Sequence, residues 1–141
     1  MGMRELIAAL ALTGAAMAQA QTPSVYEAMI EAGEMPALAQ SLASEDAPAA
    51  GRSWAVAISR LTLGADADDF DDVAAWIAGA DGLDRIQQRQ TFDALAERAF
   101  LETRYRDAAD ALSHVLSLTD DTERRAEVTR DRALYEIASP V

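Results

Sequence analysis

An eight-residue pattern recurs three times in this chain of 141 residues. Its copies occupy residues 35–42, 70–77 and 105–112, so both intervals between them are 35 residues. Each copy opens with a bulky apolar residue, has another apolar residue three positions later, then alanine, and closes with a large aliphatic residue. A period of about 20 to 50 residues is typical of repeat proteins, in which each unit buries its apolar face against its neighbours.

The residues around each copy predict α-helices in pairs. Helix-favouring alanine, leucine, glutamate, arginine and glutamine fill most positions, and runs of β-branched residues are missing. Gly33 and Gly64 stand where helices are expected to end, and Pro36 suits the first turn of a helix. The sequence predicts an all-α fold of three helix–turn–helix pairs followed by one helix, which begins after a cap at residues 119–121. The residues expected to pack that last helix are Val128, Ala133, Leu134 and Ile137.

The paired units resemble tetratricopeptide repeats, best over residues 92–118 and more weakly over residues 25–80. Thr103 stands where that family usually has glycine, and Asp120 where it often has proline. The resemblance implies a right-handed α-solenoid of about three helix pairs with a C-terminal capping helix, and an irregular helical bundle is the alternative. In the best unit the matching residues are Phe92, Leu95 and Ala96 on the first helix and Tyr105, Ala108 and Leu112 on the second.

The resemblance also implies a groove lined by the first helix of each unit. A mixed polar set with one aromatic residue suits an extended peptide better than a small molecule. Any amphipathic helix also has a polar face, so an ordinary solvated surface is the alternative. The candidate groove residues in this register are Arg52, Ser59, Thr62, Gln90, Asp93, Glu97 and Phe100.

The first twenty residues predict a secretory signal peptide. Arg4 supplies a charged start, residues 6–13 form a short apolar run, and small residues lead to Ala18-Gln19-Ala20. Residues 6–20 are fewer than the roughly 20 that a membrane span needs. We therefore expect a signal peptide at residues 1–20, a helical domain at residues 21–141, and a periplasmic or secreted protein that does not insert into a membrane after cleavage.

Composition restricts the chemistry of the chain. Its net charge of −12 disfavours nucleic acid as a partner. The chain has no cysteine and one histidine, His114, which excludes thiolate chemistry and multi-histidine metal sites. His114 itself could be a general base, a surface residue or a packed one. We find neither a glycine-rich phosphate loop nor a G-x-S-x-G motif, and we predict no catalytic residue, no metal and no cofactor.

Seven aspartates between residues 66 and 84 form an acidic run without a base. Starting from Asp66, an EF-hand calcium loop would need an oxygen ligand, glycine and glutamate where Phe70, Asp71 and Ile77 stand. The pattern therefore favours solvated carboxylates at a helix N-terminus, where negative charge meets the positive end of the helix dipole. Cation binding by this run stays open.

These observations predict an exported module that binds another envelope protein or a peptide and has no catalytic activity. The alternative is an accessory helical domain or subunit that serves a secreted hydrolase or an envelope complex. In a structural subunit of this kind, Trp76 and Phe100 are possible anchors.

Overall fold

A computed structural model of the protein describes residues 25–44 and 51–139. These residues form seven α-helices and no β-strand, so the predicted all-α fold is confirmed for them. The predicted signal peptide at residues 1–20 lies outside the described residues. The helices are α1 Val25–Glu31, α2 Met35–Ala43, α3 Arg52–Leu63, α4 Asp69–Gly79, α5 Arg85–Leu101, α6 Tyr105–Ser117 and α7 Thr122–Ala138.

Each helix packs against its neighbours in the chain, from α1 through to α7. Two further contacts skip one helix, because α1 packs against α3 and α3 packs against α5. The first helices of the three predicted pairs therefore lie next to one another. Among the helices in the described ranges, none is both long enough and apolar enough to cross a membrane.

Two apolar clusters form the core, one among α1, α2 and α3 and the other from α3 to α7. The recurring pattern supplies both clusters, since Leu38, Val73 and Ala108 occupy the same place in the three copies and are all almost completely buried. In the first cluster the indole N–H of Trp54 lies 3.0 Å from the hydroxyl oxygen of Thr91, so that α3 and α5 are joined by a polar contact within an apolar core.

The turns that follow α1 and α5 have the same backbone geometry although they are 70 residues apart. Gly33 and Thr103 have φ values of 73° and 60°, and both amides bond to the carbonyl three residues earlier at 3.0 Å. The next residues, Glu34 and Arg104, have φ values of −85° and −89° and bond to the carbonyl five residues earlier. Both turns are Schellman motifs, which require a left-handed residue and therefore favour glycine.

Replacing Thr103 by glycine should stabilise the protein by about 1 kcal/mol, because a β-branched residue is strained at positive φ. Gly33→Ala in the equivalent turn should destabilise it by a similar amount. A Cβ at Gly33 would meet no atom within 4 Å, so that change tests backbone conformation alone. Urea unfolding of both variants measures the effects, and shifts of the same sign would contradict this explanation.

The side chain of Arg98, on α5, holds the turn between α3 and α4. It is 8% exposed, and its guanidinium donates to the carbonyl oxygens of Leu61 at 3.0 Å, Gly64 at 2.9 Å and Asp66 at 2.8 Å. The carbonyls at the end of a helix lack intrahelical donors and carry negative partial charge. A guanidinium there donates hydrogen bonds to them and also balances that charge. In the second helix pair, the hydrogen bonds of Arg98 take the place of the positive-φ residue that closes the turns of the first and third pairs.

Asp69, the first residue of α4, completes this arrangement. It is 4% exposed, and its carboxylate lies 3.0 Å from the guanidinium of Arg60 and 3.8 Å from that of Arg98. A Cβ at Gly64 would come within 2.4 Å of the Asp69 carboxylate. Glycine at this position is therefore needed for the close approach of the turn to α4.

Arg98→Met should destabilise the protein by about 3 kcal/mol, because it removes donors from buried carbonyl groups and takes a positive charge away from the buried Asp69 carboxylate. The matched control is Arg106→Met on α6, since Arg106 is exposed and forms no ion pair with any described residue. Chemical unfolding of the two variants measures the difference. Equal losses would show that the buried hydrogen bonds of Arg98 contribute little.

The prediction for the packing residues of the last helix is wrong for three of its four residues. Val128 is buried as expected, but Leu134 and Ile137 are 55% and 82% exposed, and Ala133 is exposed as well. The helix turns about 100° per residue, which puts Ile137 on the side opposite Val128. Tyr135, seven residues after Val128, takes the inward position and packs against the second core cluster.

Candidate functional site

An open cleft of about 350 Å³ lies between α1, α3 and α5, and we call it the α1/α3/α5 cleft. Its walls therefore come from the first helix of each of the three pairs, with a small contribution from the turn after α1 and the start of α2. Its apolar lining residues are Ile30, Met35, Ile58 and Ala94. Its polar ones are Glu31, Thr62, Arg89, Gln90, Asp93 and Glu97.

The cleft brings together four of the seven predicted groove residues, which are Thr62, Gln90, Asp93 and Glu97. Arg52, Ser59 and Phe100 are not among its lining residues. On α3, Arg52 and Ser59 share one face because they are seven residues apart, whereas Thr62 is rotated from that face by roughly 60–80°.

The three remaining groove residues lie in other surroundings. Arg52 donates to the carbonyl oxygen of Leu42 at 2.8 Å and so joins α2 to α3. Ser59 is half-buried. The ring of Phe100 stacks on that of Tyr135 with 5.4 Å between centroids, although Phe100 is still 44% exposed. The other predicted anchor, Trp76, is partly buried against both core clusters.

A charged network runs along the cleft wall and ties α1, α5 and α7 together. The guanidinium of Arg89 donates to the Glu31 carboxylate and, at 3.2 Å, to that of Asp93. Arg124, on α7, donates to the other oxygen of Asp93 at 3.1 Å. Sequence reasoning missed Glu31, Arg89 and Arg124 as site residues. Only the four-residue spacing of Arg89 and Asp93 is a sequence signal of this network.

The pKa values of the two carboxylates in the network are shifted in opposite directions. Burial raises the pKa of Asp93, and the neighbouring Arg124 and Arg89 only partly offset that effect. At Glu31 burial also acts to raise the pKa, but hydrogen bonds from Gln90 and Arg89 outweigh it, and the pKa lies below the ordinary value of 4.5. The difference follows from exposure, because the Glu31 side chain is 55% exposed and that of Asp93 only 25%.

Two acceptors of the cleft lack donors. Gln90 is 4% exposed, and its amide nitrogen donates to Glu31. Its amide oxygen is buried, and no donor among the described residues reaches it. Glu97 is exposed and forms no ion pair within the described part of the chain. Both residues face the same cleft, which can therefore accept hydrogen bonds from a bound molecule.

The acidic run is paired more extensively than the sequence predicted. As expected, α4 begins within it, at Asp69. However, Asp69 is buried, and Asp71 and Asp72 form ion pairs with Arg104 and Arg60 at 2.8 and 3.0 Å. These arginines come from other elements, so three of the seven aspartates are paired with bases that are distant in sequence. Within residues 25–44 and 51–139, no group of three or more acidic or histidine side chains is placed to hold a metal ion.

His114 lies on the exposed surface of α6. Its ring stacks on that of Phe92 with 4.3 Å between centroids and an interplanar angle of 11°. It borders a second cleft, of about 320 Å³, between α4, α5 and α6, whose floor is mainly apolar. The structure shows a surface histidine packed flat on an aromatic ring.

Comparisons with protein-family models, with curated proteins and with solved structures find no match for this chain. The chemistry of the α1/α3/α5 cleft is therefore derived from its own residues. Its built-in features are a wall of paired charges, an apolar floor and two acceptors without donors.

Glu31→Gln should reduce stability at neutral pH and have a smaller effect in acid. The pKa of Glu31 is lowered in the folded state, so its carboxylate stabilises the fold above pH 4.5, and this contribution is lost as the pH falls through the lowered value. Unfolding of the variant and of the native protein at pH 7 and at about pH 3 measures the change. Glu123→Gln, at an exposed position on α7, is the control, and a difference for Glu31→Gln that is the same at both pH values would contradict the expectation.

Proposed function

We propose that the protein is an exported interaction module that binds an extended peptide segment of an envelope protein in the α1/α3/α5 cleft. The observation that carries this proposal is that Thr62, Gln90, Asp93 and Glu97 line one open cleft between the three first helices. The periplasmic or secreted location rests on the signal peptide predicted at residues 1–20.

The proposal includes a right-handed, tetratricopeptide-like solenoid of three helix pairs with α7 as its capping helix. Three observations support it. The turns at Gly33 and Thr103 share one geometry at twice the repeat interval. Equivalent residues of the three copies are buried. The first helices contact one another in succession, as stacked repeats require.

The dimensions of the cleft suit a short stretch of peptide. From Arg89 to Glu97 the α5 wall rises about 12 Å, which corresponds to three or four residues of extended chain. An open cleft with polar groups along one wall and apolar residues on the floor provides hydrogen bonds to a backbone and contacts for its side chains.

We propose binding without catalysis because the ionisable groups of the cleft are mostly engaged with one another. Glu31, Arg89 and Asp93 form a single hydrogen-bonded network, whereas a general base or nucleophile has to reach a substrate. Only Glu97 of the charged lining residues has no ion pair within the described part. One exposed carboxylate suits recognition of a ligand.

A second candidate function is that of an accessory domain or subunit in a secreted hydrolase or an envelope complex. The exposed apolar residues Leu134 and Ile137 on α7, together with the 69% exposed Leu101 at the end of α5, favour it. Exposed apolar residues of this size are common where another protein packs. In this case the contact surface would lie on α7 and would be insensitive to changes in the cleft.

Thr62→Phe should reduce peptide binding at least tenfold by filling the cleft with an aromatic ring. The probes are the peptides that the protein selects from a displayed library of random dodecapeptides, measured by fluorescence anisotropy. Thr129→Phe is a matched control, because Thr129 is also an exposed threonine whose hydroxyl bonds to the carbonyl four residues earlier, and it lies on α7. Equal binding by the two variants would place the peptide site elsewhere.

A further inference from the structure

The α1/α3/α5 cleft contains two unmet hydrogen-bond acceptors of different kinds. The Glu97 carboxylate is exposed and lacks an ion pair in the described ranges, and the Gln90 amide oxygen is buried without a donor there. A buried acceptor that lacks a donor costs free energy, and proteins rarely leave one so unless another molecule supplies the donor. Both acceptors can be satisfied by an N–H group of a bound molecule.

The charges of the cleft decide which N–H group fits. Three carboxylates line it, from Glu31, Asp93 and Glu97, against the single guanidinium of Arg89. Arg124 neutralises Asp93 from α7, and the remaining lining is still acidic. An acidic, partly desolvated surface favours a cationic donor over a neutral one.

We propose that the peptide bound in this cleft carries a lysine or arginine side chain that donates to the Glu97 carboxylate, and a second N–H group further along the segment that donates to the Gln90 amide oxygen. This inference rests on the proposed peptide-binding function and specifies the chemistry of its ligand. The apolar floor supports a basic side chain over a free metal ion, because Ile30, Ile58 and Ala94 provide contacts for the aliphatic stem.

The spacing of the two acceptors adds a constraint on the ligand. Gln90 and Glu97 are seven residues apart on α5, which places them about 10 Å apart along the helix axis. In a polyproline II segment, residues three apart share one face at a separation of about 9 Å. A segment with donor groups at positions i and i+3 therefore matches both acceptors at once.

The test uses the full chain and the displayed dodecapeptide library. We expect the selected peptides to be enriched in lysine or arginine. Glu97→Gln should weaken the selected peptides about fivefold at low salt and reduce the salt dependence of binding. Glu123→Gln, an exposed glutamate on α7 without an ion pair in the described part, should leave affinity unchanged.

Replacing an arginine of a selected peptide by citrulline, which keeps its shape and removes its charge, should produce the same loss, as should replacing a lysine by norleucine. Together with Glu97→Gln that change should have no additional effect, because both remove one interaction. Gln90→Met should also weaken binding, since it removes the buried acceptor and keeps the side-chain volume. Because it also removes the hydrogen bond to Glu31, binding is measured at a temperature at which the variant is shown to be folded.

Different failures have different meanings. Peptides selected without basic residues, bound equally by the native protein and by Glu97→Gln but lost in Thr62→Phe, would overturn this inference and leave the proposed function standing. Selection of no peptide by the folded protein would overturn both. Additive losses from citrulline and Glu97→Gln would show that the basic residue contacts another group.

Discussion

The arrangement of the helices depends on the buried guanidinium of Arg98. It donates to four carbonyl oxygens at the end of α3 and in the turn that follows, and it lies next to Asp69 at the start of α4. A single side chain thus fixes the exit of one helix and the entry of the next. Because Arg98 is carried by α5, these contacts also hold α3 against α5. The two helices that form most of the candidate site are thereby set in their relative positions.

The cleft exists because α1, α3 and α5 lie next to one another, and the same helices carry its charged network. Arg89 and Arg124 hold Asp93 from two helices, while Arg89 also reaches Glu31 at the end of α1. A wall built from mutually paired charges is rigid and largely neutral. The groups left over, the Glu97 carboxylate and the Gln90 amide oxygen, are then what distinguishes this surface from an ordinary solvated helix face.

The three turns within the helix pairs meet the same requirement, which is to supply hydrogen-bond donors to the carbonyl groups at the end of a helix. Gly33 and Thr103 close their turns through the same left-handed residue, and Thr103 does so with strain that glycine would avoid. The middle turn has additional residues and no left-handed residue, and hydrogen bonds from Arg98 replace that geometry. The three helix pairs are thus closed by turns of two different kinds.

The sequence by itself determined the all-α fold, the helix pairs and their ends, because helix propensity, caps and the 35-residue recurrence are local signals. The repeat register suggested by the resemblance also named Thr62, Gln90, Asp93 and Glu97 as groove residues, together with Arg52, Ser59 and Phe100, which do not line the cleft. Only the tertiary structure decided which arginines pair with aspartates of the acidic run and which residues of α7 face inward. Those outcomes depend on side chains from distant parts of the chain, such as Arg98 and Arg124, whose partners no local pattern specifies.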